Sequence, residues 1–269
     1  MIKKIKLQLK KIFIKTRVLE SFTIDGILYR VIDKTCILPN IKNTRSLSFK
    51  KDNHIYAHSS IYINPQHHFQ PYLSIFQKIM TIWSENFSFN TALILGCAGC
   101  SVPRFISLHY PESKTVGIEL SEEFIKVAKK YFLLDQIKNQ FELVQGDAID
   151  YVKNYNLNYK QNLILVDIFR ENKIILEVFT ESFIGAVYNI TNENAVIIIN
   201  ILGVEIDNVK SIFKEINLPF KNIFVVTQGN SQFLVLTKAT DIQKENEFIN
   251  NLKDENIFLI NDFWGGFNT

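Results

Sequence analysis

Short apolar runs alternate with amphipathic segments over most of the chain, beginning near Thr91. The amphipathic segments carry their apolar residues at helical spacing, and the apolar runs are rich in β-branched residues. Apolar strands that alternate with helices are typical of a parallel sheet covered by helices on both faces. The runs predicted to be strands are TALILG, KTVGIEL, QFELVQ, QNLILVDIF and NAVIIINIL, followed by NIFVVT and QFLVLTK as an antiparallel pair. The pattern therefore predicts an α/β fold with a Rossmann-like, mostly parallel, doubly wound sheet.

The start of the chain has a different pattern. Between residues 18 and 63, β-branched and aromatic runs are separated by turn residues, which indicates short strands. The strands expected there are Gly26–Ile32, Ser46–Lys50 and Ile55–Ile63. Two prolines then interrupt the pattern, and a helix is expected from about Tyr72 to Trp83. We expect residues 1–64 to form a basic N-terminal segment with a small β-rich domain, and residues 65–269 to form the Rossmann-like domain.

Positive charge is concentrated at the N-terminus. Residues 1–17 hold seven Lys and Arg residues and no acid, so the rest of the chain, whose total charge is +3, is acidic overall. Ile2, Ile5 and Leu9 fall near helical spacing, which fits a basic amphipathic helix. The segment is expected either to make weak contact with a membrane surface or to pack on the body without joining a core strand. It lacks a secretory signal pattern, and nucleic-acid binding is not expected.

The composition narrows the class of protein. The sequence has no run of 18 apolar residues, so no membrane-spanning helix is expected. Three cysteines in 269 residues do not make a disulfide scaffold, which favours the cytoplasm. Cys97 and Cys100 have C-x-x-C spacing after the first core strand, where a redox pair is one interpretation. The alternative is that they are small side chains that line a ligand loop, since no second spaced pair completes a zinc site.

Acidic residues and glycines follow the predicted core strands at the points where these strands end. The first strand is followed by the turn Gly96–Ser101, the second ends at Glu119, the third is followed by Gly146-Asp147-Ala148, and the fourth ends at Asp167. In a parallel sheet, ligands bind outside the carboxyl ends of the strands. A glycine turn lets the backbone approach a ligand, and an acid about 20 residues later can accept hydrogen bonds from ribose hydroxyls. The arrangement predicts a nucleoside site.

These segments resemble the nucleoside-binding core of the spermidine synthase-like branch of the class I S-adenosylmethionine-dependent transferases. The similarity is carried by LILGCAGCSVPRFI, VGIELSEEFIKVAKKYF, VQGDAIDYV and LILVDIF, and extends upstream through HIYAHSSIYI and QPYLSIFQKIM. The resemblance implies S-adenosylmethionine, or its decarboxylated form, as the cofactor. It implies that the cofactor-binding residues are Gly96, Cys97, Ala98, Gly99, Ser101, Glu119, Leu120, Asp147 and Ala148. Asp167 matches the acid that orients and deprotonates the attacking amine in aminopropyltransferases.

The sequence also departs from this family. Ala98 and Cys100 stand where glycine is common, Pro65–His68 lacks the acidic pair of polyamine synthases, and Arg170 adds a cation. A polyamine site needs carboxylates, because unpaired buried charges are costly. We therefore expect methyl transfer to a small molecule that is not a polyamine, with Asp167 as base or orienting acceptor. Aminopropyl transfer and a non-enzymatic nucleoside-binding module are the alternatives. A homodimer is expected and a metal site is not; the candidate substrate contacts are His58, Tyr72, Phe169 and Arg170.

Overall fold

A computed structural model describes residues 14–36, 43–51, 54–63, 74–170, 173–215, 220, 222–228, 231–252 and 256–259. The helices and strands are, in chain order, β1 (Ile14–Ile24), β2 (Ile27–Cys36), β3 (Thr44–Lys51), β4 (His54–Tyr62), α1 (Ser74–Asn86), β5 (Thr91–Leu95), α2 (Ser101–His109), β6 (Lys114–Glu119), α3 (Glu122–Tyr131), β7 (Phe141–Gln145), α4 (Ala148–Lys153), β8 (Gln161–Val166), β9 (Phe169–Arg170), β10 (Lys173–Ile174), α5 (Glu181–Asn189), β11 (Thr191–Asn200), α6 (Ile206–Glu215), β12 (Asn222–Gln228), β13 (Ser231–Thr237), α7 (Ile242–Asn251) and β14 (Asn256–Leu259).

The main sheet has eight strands in the order β14-β12-β13-β11-β8-β5-β6-β7. The five strands from β11 to β7 pair in parallel, and β13, β12 and β14 extend the sheet through antiparallel pairings. After β7 the chain returns to the other side of β5, so the strand order reverses between β5 and β8. Connections leave this point in opposite directions, which opens a crevice at the carboxyl ends of the strands. The predicted fold class is confirmed.

Helices cover both faces of the sheet because its central strands are apolar on both sides. Every residue of β8 is buried, and β5 is buried from Ala92 onward. Side chains alternate along these strands: Ile94 packs in the cluster with α1, α2 and α7, whereas Leu93 packs in the cluster with α4, α5 and α6. Such strands cannot lie at a solvent-facing surface, which fixes the layered architecture.

Six elements were not expected from the sequence. β1 extends the N-terminal sheet, and β9 and β10 form a short antiparallel pair after β8. α4 and α7 are short amphipathic helices, and β14 adds a third antiparallel strand beyond the predicted pair. Near the N-terminus, Ile14 to Arg17 begin β1, so the end of the basic segment joins the N-terminal sheet. Residues 1–13 and the predicted domain boundary at residue 64 lie outside the described residues, so the membrane contact and the boundary stay predictions. Within the described ranges, none of the helices has the length and apolar character needed to cross a bilayer.

The N-terminal sheet β1-β2-β3-β4 is antiparallel and packs against α3. Its apolar face contributes Tyr29 and Phe49, which form a cluster with Phe124 of α3. A polar link lies beside this cluster. Arg45 of β3 forms a bidentate ion pair with Asp33 of β2, at 2.7 and 2.9 Å, and its third nitrogen donates to the carbonyl oxygen of Tyr131 at 2.7 Å. Arg45 therefore joins two strands to the C-terminal end of α3, where a cation is favourable.

Replacing this arginine should separate the N-terminal sheet from α3. We expect Arg45→Ala to lower the free energy of unfolding by about 2 kcal/mol or more, because it breaks charge-assisted hydrogen bonds and leaves Asp33 largely buried without its partner. Lys126→Ala is the matched control, since Lys126 also pairs with carboxylates but is exposed. It should leave the urea midpoint nearly unchanged. Equal losses of unfolding free energy in the two variants would show that the Arg45 link stabilises the fold no more than an exposed ion pair does.

Candidate active site

The turn between β5 and α2 begins with a glycine that no other residue can replace without strain. Gly96 has φ +87°, and a Cβ atom there would overlap the carbonyl oxygen of Asp167. The backbone of Gly96 is held by its N–H, which donates to the oxygen of Ile118 at 2.9 Å. The turn after β5 is therefore pressed against the end of β8, which brings the predicted nucleoside turn beside Asp167.

The two departures from a denser glycine pattern fall at positions with positive φ. Ala98 has φ +43° and Cys100 has φ +58°. Residues other than glycine pay on the order of 1–2 kcal/mol for this conformation. The strain is offset by hydrogen bonds on either side: the N–H of Ala98 donates to Glu119 at 2.7 Å, and the N–H of Gly99 donates to Ser59 at 2.8 Å. The turn keeps its shape because its donors have partners.

The N-terminal sheet contributes two serines of β4 to this turn. Ser59 accepts from the N–H of Gly99 through its hydroxyl. Ser60 and Ser101 form a reciprocal pair, because the hydroxyl of Ser101 donates to the carbonyl oxygen of Ser60 and accepts from its N–H, both at 3.0 Å. A Cβ atom at Gly99 would come too close to Ser59 and Phe132. Neither serine was expected in the site, because the sequence does not reveal which strand of the N-terminal sheet contacts the turn.

Glu119 ends β6 and turns its carboxylate into the same turn. One oxygen, Oε2, accepts from the N–H groups of Cys97 and Ala98, at 3.1 and 2.7 Å, and Oε1 accepts from the N–H of Ser121 at 2.9 Å. The residue is buried, so these bonds compensate for the loss of water around its charge. A carboxylate has about four acceptor positions, and three are occupied. One remains on Oε1 for a hydroxyl group of a ligand.

The next residues along this edge suit a flat apolar group with a polar rim. Leu120, directly after Glu119, is 61% exposed. Asp147 caps α4, since its Oδ1 accepts from the N–H groups of Ile149 and Asp150 at 2.8 and 3.2 Å. No bond to Oδ2 is formed within the described part of the chain. Asp147 thus combines the expected ligand position with a role as helix cap, and Ala148 begins the capped helix.

Asp167 lies at the end of β8, across the turn from Glu119. Its N–H donates to the oxygen of Leu95 at 2.8 Å, and its Oδ1 accepts from Nδ2 of Asn200 at 2.9 Å. Burial raises the pKa of the Asp167 carboxyl to about 6; the hydrogen bond from Asn200 lowers the pKa, and the nearby charge of Glu119 raises it. A carboxyl that titrates near neutral pH is suited to accept a proton from a substrate.

The cysteine pair does not fit redox chemistry. Cys97 and Cys100 are both buried free thiols. Burial raises the pKa of Cys97 well above its usual value; Cys100 and the charges of Glu119 and Asp167 raise it further. A reactive thiol needs the opposite environment, which stabilises the thiolate. The thiol of Cys97 instead packs over Gly117, where a Cβ atom would collide with its sulfur. The interpretation as small side chains in a ligand turn agrees with these contacts.

Three of the four candidate substrate contacts belong to the described part of the chain. His58 packs among Tyr29, Phe49 and Phe124, its Nε2 has no hydrogen-bond partner among the described residues, and burial lowers its pKa to about 4. This ring belongs to the packing of the N-terminal sheet on α3. Tyr72 lies outside the described residues.

Phe169 and Arg170 form β9, directly after Asp167 and Ile168. Phe169 is half-buried against the core, whereas Arg170 is exposed. A cavity of about 310 Å³ lies between Arg170 and the tip of the β1–β2 hairpin, and its other lining residues are Ile24, Asp25, Ile27 and Tyr29. A space therefore lies between the core and the N-terminal sheet, beside β9, which follows Asp167 in the chain.

Asn200 is a further site residue that was not predicted from the sequence. It ends β11, the fifth parallel strand, next to β8. The rule that identified Asp167, that ligands lie at the carboxyl ends of parallel strands, would have identified Asn200 if it had been applied to one more strand.

Comparisons with known proteins agree with this geometry. The family described as "Spermine/spermidine synthase domain" matches residues 88–239, more than half of the chain. A curated relative from Chromobacterium violaceum, named polyamine aminopropyltransferase, is 34% identical over 91 residues. The match spans 34% of this chain and 34% of the relative, about a third of the relative's length.

Solved structures share the fold at low sequence identity. A probable spermidine synthase from Corynebacterium glutamicum is 14% identical, has a TM-score of 0.67, and is matched over 93% of this chain and 95% of its own. Human methyltransferase-like protein 13, solved in complex with SAH, is 16% identical, has a TM-score of 0.56, and is matched over 69% of this chain and 92% of its own. Likeness at this level shows the fold alone, and the same fold occurs in a probable spermidine synthase and in a methyltransferase-like protein.

The expectation of methyl transfer to a molecule other than a polyamine is wrong. The curated relatives are named polyamine aminopropyltransferase, and the matching family is that of spermine/spermidine synthases. The expectation rested on two features of charge, the cation at Arg170 and the lack of acids in Pro65–His68. Arg170 is exposed, so water and salt screen its charge from a cationic acceptor. The segment Pro65–His68, whose lack of acids was the other reason, lies outside the described residues.

The family match covers more than half of the sequence. It includes the turn after β5 and the acids at the ends of β6 and β8, and the N-terminal sheet contacts this turn through β4. On these grounds, the chain belongs to the spermine/spermidine synthase domain family.

Proposed function

We propose that this protein transfers an aminopropyl group from decarboxylated S-adenosylmethionine to an amino group of a polyamine. The observation that carries the proposal is the pair of acids beside the turn after β5: Glu119 holds the turn, and Asp167 lies across it with a pKa of about 6. The name of the curated relatives supports the choice of an aminopropyl group over a methyl group.

The nucleoside half of the donor fits the turn and the two strand ends that follow. Oε1 of Glu119 has one acceptor position left for a ribose hydroxyl. Leu120 offers an exposed apolar surface to an adenine ring, and Oδ2 of Asp147 can accept from an exocyclic amino group. The remaining contacts of this proposal are Gly96, Cys97, Ala98, Gly99, Ser101 and Ala148, the residues of the turn and of the start of α4.

Asp167 acts on the acceptor. When bound, the donor supplies a propyl carbon activated by a sulfonium; its C–S bond breaks with the electron pair left on sulfur as a C–N bond forms. Asp167 accepts the proton that the amine loses as its nitrogen becomes the nucleophile. The backbone of Asp167 lies against Gly96, which supports a role for this acid next to the turn proposed to bind the donor. Because the acceptor is a cation, the charges of Asp167 and Glu119 also favour its binding.

The donor and acceptor test the proposal directly. We expect calorimetry to show tight binding of decarboxylated S-adenosylmethionine and methylthioadenosine, and weaker binding of S-adenosylmethionine, which carries an additional carboxylate near Asp167. Mass spectrometry of a reaction with putrescine or spermidine should show the addition of one aminopropyl group. Transfer of a methyl group, or binding of every nucleoside without turnover, would contradict the proposal; the latter result would indicate a binding module.

Asp167→Asn should abolish turnover and leave nucleoside affinity within a few fold, because the amide cannot accept the amine's proton. In the unchanged protein, kcat should rise with pH through about 6 and then level, since Asp167 must be ionised to act as a base. The exposed Asp135→Asn is the matched control and should keep both the rate and the profile. Normal turnover of Asp167→Asn would remove Asp167 from the reaction.

Glu119→Gln should weaken binding of methylthioadenosine by about tenfold or more. The amide keeps the size of the side chain but loses a charge that strengthens each hydrogen bond by roughly 1 kcal/mol. Calorimetry is the measurement, and the exposed Glu123→Gln in α3 is the control. A dissociation constant that is the same in both variants would mean that Glu119 only supports the turn and does not contact the nucleoside.

A further inference from the structure

The side chain of Asn200 has a single defined orientation beside Asp167. Its Nδ2 donates to Oδ1 of Asp167 at 2.9 Å, and its own Oδ1 accepts from the N–H of Leu202 at 3.1 Å. The second bond fixes the amide, because an amide turned by 180° would direct NH₂ at the N–H of Leu202. Asn200 therefore always presents a donor to Asp167.

The hydrogen bond distinguishes the two oxygens of the Asp167 carboxyl. Oδ1 is engaged by Asn200, whereas Oδ2 forms no hydrogen bond within the described ranges. The backbone of Asp167 is held as well, because its N–H donates to the carbonyl oxygen of Leu95 and its own carbonyl oxygen lies against Gly96. One oxygen is held and the other is left for a ligand.

We propose that Asn200 is a positioning residue: it holds Oδ1 of Asp167 so that Oδ2 is the oxygen that accepts the amine's proton. The inference rests on the proposed function of Asp167 as the base. Asn200 does not touch the substrate in this scheme; it acts through the carboxyl that does.

Asn200 also sets the pH range in which Asp167 is ionised. The ionisable groups that face Asp167 among the described residues are the carboxylate of Glu119, at the end of β6, and the thiol of Cys97, in the turn after β5. Burial and Glu119 disfavour the ionised carboxylate, and the N–H donor of Asn200 favours it. Removing the donor should therefore raise the pKa of Asp167 and shift the acidic limb of the pH profile to higher pH.

Two variants of Asn200 test the inference. Asn200→Leu removes the donor at similar size, and the midpoint of the acidic limb should rise by about one pH unit, the size expected from loss of one hydrogen bond to a charged group. Activity should fall about fivefold at pH 6, approach a tenfold fall at lower pH, and change little at pH 8. Asn200→Asp keeps an acceptor for the N–H of Leu202 but adds a second carboxyl, and it should shift the limb further. A midpoint that stays in place in both variants would overturn the inference.

A control and a second readout separate this inference from the function itself. The control is Asn192→Leu. Asn192 lies at the other end of β11, and its Nδ2 donates to the carbonyl oxygen of Lys160 at 3.2 Å. It should not move the profile. Carboxyl ¹³C NMR, with Asp167→Asn used to assign the signal, follows the titration of Asp167 without substrate. If the midpoint of Asp167 rises in Asn200→Leu but the unchanged protein transfers no aminopropyl group, only the proposed function is contradicted. If Asp167→Asn is inactive but the midpoint of Asp167 does not move in Asn200→Leu, only the inference about Asn200 is contradicted.

Discussion

The carboxylate of Glu119 is the interaction on which the arrangement of this site depends. The turn after β5 contains two residues in a conformation that suits glycine, and the N–H groups of Cys97 and Ala98 both point toward the Glu119 carboxylate. Without a buried acceptor these donors would be unsatisfied, at a cost of roughly 1–3 kcal/mol each. Glu119 accepts both of them and fixes the start of α3 through a third. The charge that is proposed to bind the ribose thus also holds the turn after β5 in shape.

The layered fold could be predicted from the sequence because its strands are apolar on both sides. An apolar run such as QNLILV has no polar face, so it has to be buried between two layers of helices, and every residue of β8 is buried. The same reasoning could not find α4, which is short and is begun by the cap at Asp147, or β14, which follows a helix of low hydrophobicity. Their formation depends on partners that lie far away along the chain.

The candidate site was predictable only as far as it follows from strand ends. Glu119, Asp147 and Asp167 could be located because β-strands of a parallel sheet end at one edge. The sequence could not show that Glu119 turns toward Cys97 and Ala98, because a side chain at a strand end has several rotamers. Nor could it pair Ser59 with Gly99, which are 40 residues apart. The transferred group is harder still to predict, since a probable spermidine synthase and a methyltransferase-like protein share this fold.

The bonds between β4 and the turn after β5 have a consequence for how the molecule opens. Gly99 and Ser101 each use a partner that belongs to the N-terminal sheet, so separation of that sheet would leave donors of the turn without acceptors. The sheet and the turn are therefore one cooperative unit, which gains or loses its order as a whole. Exchange of the Gly99 amide with solvent deuterium then requires detachment of the N-terminal sheet, which begins 85 residues earlier at Ile14. The exchange rate of this one amide therefore reports the opening of the whole N-terminal sheet.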